Sequence, residues 1–487
     1  MTATREIRKI AVVGAGVAGL AAARCLSGAG FDCVIFEKRD RVGGVWAEGY
    51  HSFGLQTTKS LYEIPDYPMP KTYPRFPPGE QIRAYLENYA RDFGLIKKIR
   101  FNTSIQRLER HAQRNWCIVT CSEENPEASQ EEFFDFVVIA TGLYSTPYMP
   151  EFPNRKDFGG NILHSSQYTS SDQVMDKKVT VVGFGKSALD IATDAAQYAN
   201  HVDLVFRGSH WPVPTDVLGL IDVRRIFVNR LVGGFLPLYQ RPEKWESRLH
   251  DSCPWLIKGF WKFVEVLLKI QFPLKACNAI PDVPLETDLF NQDFLPRPET
   301  YGLMKKGKIA CRRATITSLA RGCVELDNGQ SLASDTLILA TGWKPDYSWL
   351  PEQFQSSVQD DGVYLYRHII HPDLDDCAFI GWASTFSNSL TSHLASVWLT
   401  HLLTGTLSLP KQSAMEAEIQ QMMNWKRSFM PFSGSRGSLL QLHMGHFHDE
   451  LVRDIGISPW LKSNPVFEWL QDYRPVDYRS VLDLPPK

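Results

Sequence analysis

Two stretches of the chain carry the same order of apolar and polar positions. Residues 9–38, KIAVVGAGVAGLAAARCLSGAGFDCVIFEK, run from a short β-branched segment through a Gly turn into an Ala-rich helix, then into a second apolar strand. Residues 178–208, KVTVVGFGKSALDIATDAAQYANHVDLVFRG, repeat that order. Strand–turn–helix–strand units with continuous apolar strands predict βαβ crossovers, which build parallel sheets. Two further apolar runs, FDFVVIATG (134–142) and DTLILATG (335–342), end in the same tripeptide and predict strands that carry the chain between the two units. The polar stretch ENPEASQEE (124–132) predicts a turn between strands. The expected fold is α/β, with two Rossmann-like dinucleotide-binding domains, the second inserted into the first. Residues 1–168 form the first part of the first domain. Residues 169–319 form the inserted domain, with a further insertion at about 209–300. Residues 320–487 return to the first domain and include the C-terminal region.

Each Gly turn carries chemistry. Gly14, Gly16 and Gly19 form G-x-G-x-x-G between strand and helix. Such glycines give a tight turn, a close backbone approach to a pyrophosphate and close helix–strand packing, and the helix N-terminus favours the phosphate charge. Glu37 ends the second strand, where a carboxylate accepts ribose hydroxyls and repels a 2′-phosphate, which favours FAD or NAD. The following RVGGVW (41–46) places Gly44, Val45 and Trp46, with Gly43, at a second backbone approach to the same ligand, and this favours the longer FAD. In the second turn Gly183, Gly185 and Ala188 form G-x-G-x-x-A, and Arg207 stands at the strand end. A guanidinium there pairs with a 2′-phosphate, which favours NADPH, and Lys186 and Ser187 at the helix start add candidate phosphate contacts.

Between the units lies DFGGNILHSSQY (157–168). Phe158, Gly160, His164 and Tyr168 fit F-x-G-x-x-x-H-x-x-x-Y/F, a fingerprint of the flavin-containing monooxygenases. Together with GAGVAG, RVGGVW, ATGLYSTPYMP (140–150), GFGKSALD (183–190), ATGWKPD (340–346) and FIGWA (379–383), the chain resembles that family over nearly its whole length. The resemblance implies an enzyme in which NADPH reduces FAD, and reduced FAD adds O₂ as a C4a-hydroperoxide that oxygenates a small soft nucleophile. The nucleophile is an amine or sulfide. Some similarity to the plant auxin-forming branch adds oxidation of a 2-oxo acid. The spacer reads as a crossover, with His164 structural rather than a catalytic base. Baeyer–Villiger relatives carry Trp where Tyr168 stands, which counts against a ketone monooxygenase, the alternative on this scaffold. An NADPH oxidase or flavin-dependent reductase without a stable hydroperoxide is the other alternative. The chain departs from the family in LQTTKSLYEIPDYP (55–68), where no Asn stands at the flavin edge; Gln56, Thr57 and Thr58 are the candidate catalytic residues there.

Composition narrows the picture. A net charge of −2 over 487 residues gives no basic surface for nucleic acid. The nine Cys are scattered without CxxC, which suits reduced thiols in the cytoplasm and argues against a disulfide reductase. MTATREIRKIAVVG runs straight into a strand with no secretory leader pattern. HMGHFH (443–448) lacks a supporting ligand cadence, and no metal is expected. In WLIKGFWKFVEVLLKIQFPL (255–274), Lys258, Lys262, Glu265 and Lys269 recur at helical spacing, so the segment predicts an amphipathic helix and not a membrane span. Packing on the protein body is the preferred role; a substrate lid or peripheral membrane contact is the alternative. The expected partners are a small-molecule substrate and O₂, with a homodimer left open.

Overall fold

The computed structural model describes residues 7–111, 116–122, 125–290 and 295–482. The run Lys9–Val13 is the middle strand of a five-stranded parallel sheet. The order is Cys377–Phe379, Phe136–Ile139, Lys9–Val13, Asp32–Phe36 and Ile99–Arg100. Ile10 and Val12 pack on the helical side, whereas Ala11 and Val13 pack on the opposite face with Trp116 and Phe134. Burial of both faces is why the run is continuously apolar. Lys178–Val182 takes the same place in a second parallel sheet, ordered Ile309–Arg313, His201–Phe206, Lys178–Val182, Thr336–Leu339 and Asn161–His164. Two of its strands, Asn161–His164 and Thr336–Leu339, come from either side of residues 169–319.

Each sheet is preceded, before its ATG strand, by a small antiparallel sheet. The first comprises Thr103–Arg110, Trp116–Ser122 and Asn125–Phe134; the second comprises Ile316–Ala320, Cys323–Leu326 and Ser331–Ala333. The stretch 124–132 is therefore not a turn: from Asn125 onward it is strand, with residue 124 outside the described residues. Its acidic side chains suit an edge. Glu132 pairs with Lys9 at 2.8 Å and also with Arg100. The chain passes between the two sheets at 140–150 and again at 340–346, and the two crossings meet where Thr146–Pro147 pairs antiparallel with Trp343–Lys344.

The helix Asn388–Leu403 packs between Val17–Gly28 and Met444–Asp454 and is buried from Ser389 to Thr400. It carries many polar groups, and they are satisfied locally. Ser396 and Thr400 hydroxyls donate to carbonyls one turn back, Ser392 O at 2.6 Å and Ser396 O at 2.8 Å. His393 donates from Nδ1 to Ser389 O at 2.7 Å and accepts at Nε2 from the Tyr89 hydroxyl at 2.9 Å. No helix among the described residues is long and apolar enough to cross a membrane.

Burial holds the His393 ring neutral, pushing its pKa down to about 4, and does the same to His448, down to about 3. Both values lie below the ordinary imidazole value, so on acidification the unfolded chain takes up the proton first. The stability these rings contribute is complete above about pH 6.5 and falls as pH drops towards their folded values, by roughly 3 kcal/mol for His393 near pH 4. Urea unfolding at about pH 7 and about pH 4.5 should show a large loss in the parent and a smaller loss in His393→Gln.

Candidate active site

The first Gly turn leaves the central strand at Gly14, whose φ is +108°. A Cβ on Gly14 would stand 2.7 Å from Ala140 O, the carbonyl that closes the neighbouring ATG strand. The Gly14 N–H donates to Phe36 O at 2.8 Å and the Ala140 N–H to Val13 O at 2.9 Å, so the turn is stitched on both sides. RVGGVW folds over this turn. Gly43 N–H donates to Ala15 O at 3.0 Å. Gly44 has a φ of +58°, and a Cβ there would lie 3.1 Å from the Gly16 Cα. Gly14, Gly16, Gly43 and Gly44 thus form one side-chain-free cradle, which fits the pyrophosphate of a dinucleotide.

Glu37 is buried at the end of the next strand, 4% exposed. One carboxylate oxygen accepts from Ala15 N–H at 2.8 Å and the other from Arg39 N–H at 3.0 Å. Each oxygen keeps acceptor capacity for a ribose hydroxyl. Val45, next in the chain, is half-exposed, and Trp46 stacks on Phe53 at 5.9 Å and donates from Nε1 to the Tyr62 hydroxyl at 2.8 Å.

The second turn repeats the construction. Gly183 has a φ of +123°, and a Cβ there would stand 2.6 Å from Ala340 O. Gly183 N–H donates to Val205 O and Ala340 N–H to Val182 O, both at 2.9 Å. Gly185 caps the helix Lys186–Ala195. Arg207 is exposed, with no hydrogen bond or ion pair among the described residues, and is available to an anion. Lys186 is not available in the same way. Its ammonium is held by both oxygens of Asp190, at 2.6 and 2.7 Å, while Ser187 is half-buried beside it.

Side chains from several distant segments join the cradles. Asp190, 1% exposed, also accepts from the Tyr50 hydroxyl at 2.7 Å and lies 3.3 Å from Arg297 Nε. Arg297 donates in turn to Ser52 O and Oγ, each at 2.8 Å. One turn further along the helix, Asp194 accepts from Tyr168 at 2.6 Å and from Ser52 at 3.3 Å. The loop after RVGGVW is therefore strapped to the helix of the second cradle. Burial, and then the neighbouring carboxylate, raise the pKa of Tyr50 and Tyr168 and keep both hydroxyls as donors. The i,i+4 spacing of Lys186 and Asp190 could have announced their pairing; Tyr50, Ser52 and Arg297 carry no such signal.

His164 is 1% exposed and its pKa is lowered by burial. The neutral ring donates from Nε2 to Gly342 O at 3.0 Å and accepts at Nδ1 from Ser166 Oγ at 2.9 Å. It pins the second ATG turn, and both its nitrogens are occupied. Gln56 is exposed, and its amide has no partner among the described residues; Thr57 is half-buried, and Thr58 is buried at the start of the short helix Lys59–Tyr62. Lys59 donates to the carbonyls of Pro70, Lys71 and Tyr73, at 2.6–3.2 Å, which is a structural role. His446 pairs with Glu246 at 2.8 Å and His448 with Thr391 at 2.7 Å.

A buried carboxylate at one strand end and a free guanidinium at the other fit two different dinucleotides, which makes the chain a flavoprotein oxidoreductase of the two-dinucleotide class. It belongs to the flavin-binding monooxygenase-like family, which it matches over residues 7–218 and 288–468, and FAD and NADPH are its cofactors. It is 30% identical to the Arabidopsis thaliana protein named "Probable flavin-containing monooxygenase 1", over 97% of this chain and 96% of that one. Its fold is similar to that of S-allyl-L-cysteine S-oxygenase from Allium sativum, with a TM-score of 0.66 and 20% identity over 97% and 92% of the two chains. It is also similar to a cyclohexanone monooxygenase mutant from Rhodococcus sp. Phi1 bound to NADP⁺, with a TM-score of 0.65 and 17% identity over 92% and 97%.

The cradle geometry makes Gly44 a sensitive position. Gly44→Ala adds left-handed strain of about 1–2 kcal/mol and places a methyl against Gly16. The purified variant should keep its secondary structure by circular dichroism and lose most of its bound flavin, read from visible absorbance per mole of protein.

Proposed function

We propose that the chain is an NADPH- and O₂-dependent monooxygenase that adds one oxygen atom to a small soft nucleophile, a sulfide or amine. The observation that carries this reading is the contrast between Glu37, buried and held by Ala15 and Arg39, and the unengaged Arg207 at the equivalent strand end. That contrast supports a flavin site and a separate NADPH site in one chain. The name of one fold neighbour, an S-oxygenase, supports sulfur as the atom oxygenated.

Bound FAD supplies the redox centre and the activation of O₂, and NADPH supplies the electrons. The chain's own residues bind and orient. Gly14, Gly16, Gly43 and Gly44 would receive the FAD pyrophosphate, Gly19 lets the helix pack under that turn, and Glu37 would hold the ribose. Gly183, Gly185 and Ser187 receive the NADPH pyrophosphate, Arg207 its 2′-phosphate, and Lys186 stays on Asp190 as part of the strap. We place Gln56, with Thr57 and Thr58, at the reacting edge of the flavin, where the Gln56 amide offers hydrogen bonds and the Thr side chains exclude water. We assign Asn161–His164, which pairs with Thr336–Leu339, to the edge of the nucleotide domain.

Baeyer–Villiger oxygenation of a ketone is the second reading, favoured by the fold shared with cyclohexanone monooxygenase. Turnover of a thioether, a tertiary amine, a cyclic ketone and a 2-oxo acid under NADPH and O₂, with product and H₂O₂ measured together, separates the cases. A sulfoxide or N-oxide in step with NADPH consumption supports the proposal; an ester selects the second reading; H₂O₂ equal to NADPH for every substrate defines an oxidase and overturns both.

Arg207→Ala should raise the KM for NADPH by the equivalent of roughly 1–3 kcal/mol and leave that for NADH nearly unchanged, because only the 2′-phosphate loses its charged partner. Equal effects on both nucleotides would remove Arg207 from that role.

A further inference from the structure

The family match passes over residues 219–287, and these carry most of a large exposed apolar surface. The helix Pro254–Gln271 turns Trp261, Val264 and Leu268 inward, and Trp261 Nε1 donates to Phe235 O at 2.7 Å. Packing on the body is therefore real, yet it uses only one side. The outer side is apolar too: Trp255 is 70% exposed, Phe263 61%, Val266 52% and Ile270 69%. With Gly259 these positions recur every three or four residues and form one line along the helix. At its C-terminal end Gln271 is tied to the hairpin formed by Asp216–Val217 and Ile221–Asp222, through Leu218 N–H at 3.0 Å and Asp216 O at 2.8 Å. The tip of that hairpin exposes Leu218, Leu220 and Ile221, with Leu220 at 85%. Contiguous apolar exposure of this kind marks an interaction surface.

Charge selects the occupant. Lys258, Lys262 and Lys269 follow one edge of the apolar line and all three are exposed. The only carboxylate on the helix, Glu265, is 4% exposed and lies beneath Lys262 at 2.9 Å and Lys269 at 4.0 Å. The outer face is thus apolar with a cationic border and no exposed acid. A second copy seated here would bring the lysines of both helices to one interface with no exposed carboxylate on either helix to meet them. A bilayer with anionic headgroups meets both features, the acyl boundary taking the apolar line and the headgroups taking the ammonium groups.

We propose that the outer face of Pro254–Gln271, together with the Leu218–Ile221 hairpin tip, docks the protein on an anionic lipid surface, lying on the membrane without crossing it. Trp255, Phe263, Val266, Ile270 and Leu220 enter the boundary, and Lys258, Lys262 and Lys269 face the headgroups.

The test is co-sedimentation of the full-length FAD-loaded protein with vesicles of phosphatidylcholine alone or mixed with phosphatidylserine, with size-exclusion chromatography in parallel. Binding to the mixed vesicles, at least about tenfold weaker on phosphatidylcholine alone and weakened by salt, is expected. Trp255→Ser, Phe263→Ser and Ile270→Ser combined should cut binding at least about tenfold while flavin content and NADPH oxidation stay at parent levels. Lys258→Gln with Lys262→Gln should remove the preference for phosphatidylserine. Absence of sedimentation with both vesicles, or serine variants that bind as the parent does, overturns the proposal. A parent dimer that the serine variants dissociate, without vesicle binding, assigns the face to a second copy. Altered turnover in those variants, again without vesicle binding by the parent, assigns it to a substrate lid. Either result overturns the proposal, and none bears on which substrate is oxygenated.

Discussion

One backbone approach, made twice, organises the molecule. In each parallel sheet the first Gly of the turn lies so close to the carbonyl of the adjoining ATG strand that a Cβ would stand 2.7 Å from Ala140 O in one and 2.6 Å from Ala340 O in the other. The approach is possible only without a side chain and at positive φ. It locks the central strand to the neighbour that arrives from the far side of an inserted segment. The sheet then has strands on both sides of its turn, Asp32–Phe36 on one flank and Phe136–Ile139 on the other, which creates the crevice at the carboxyl ends where doubly wound sheets bind ligands. The ATG strands also begin the two crossings between domains, so the contact that shapes each cradle also fixes where the chain leaves it.

The cradles would be independent if only those crossings joined them. The spacer and the strap couple them. His164 holds the Gly342 carbonyl, Tyr168 reaches Asp194, and the Tyr168 carbonyl accepts from His51 N–H at 2.6 Å. Tyr50 and Arg297 converge on Asp190 in the same helix. A buried carboxylate with three partners is costly to leave unmatched, so this helix resists moving relative to the loop after RVGGVW. The fingerprint DFGGNILHSSQY therefore serves orientation: its His and Tyr are spent on neighbours, consistent with a redox chemistry that resides in the cofactors.

The repeated βαβ units and both Gly turns were legible because a period of apolar residues and a forced positive φ leave direct marks on a sequence. The strand from Asn125 was not, since an edge strand satisfied by ion pairs such as Glu132 with Lys9 has the polarity of a turn. NILH (161–164) was read as part of a crossover, and its role as the edge of the second sheet depends on pairing with residues 336–339, far away in the chain. Lys186 resembled a phosphate ligand until Asp190, one helical turn on, took its charge. The helix Pro254–Gln271 was read correctly as amphipathic and packed on the body, but helical spacing shows only which residues share a side, and only the packed body shows that Val264 and Leu268 face in while Phe263 and Val266 face out.

The two cradles share a backbone and still differ in how far they are prepared. Glu37 is fixed before any ligand arrives, each oxygen already on a backbone N–H and the group almost wholly out of water. Little ordering or desolvation remains to be done when a ribose binds, and that favours tight, long-lived occupancy. Arg207 stands in solvent with its donors unengaged, so a 2′-phosphate bound there, as proposed, would have to order an exposed side chain. Such binding would be the more readily reversed of the two. A resident prosthetic group beside an exchangeable co-substrate is the arrangement this asymmetry selects, and it arises at the strand ends rather than in the glycine turns that first draw attention.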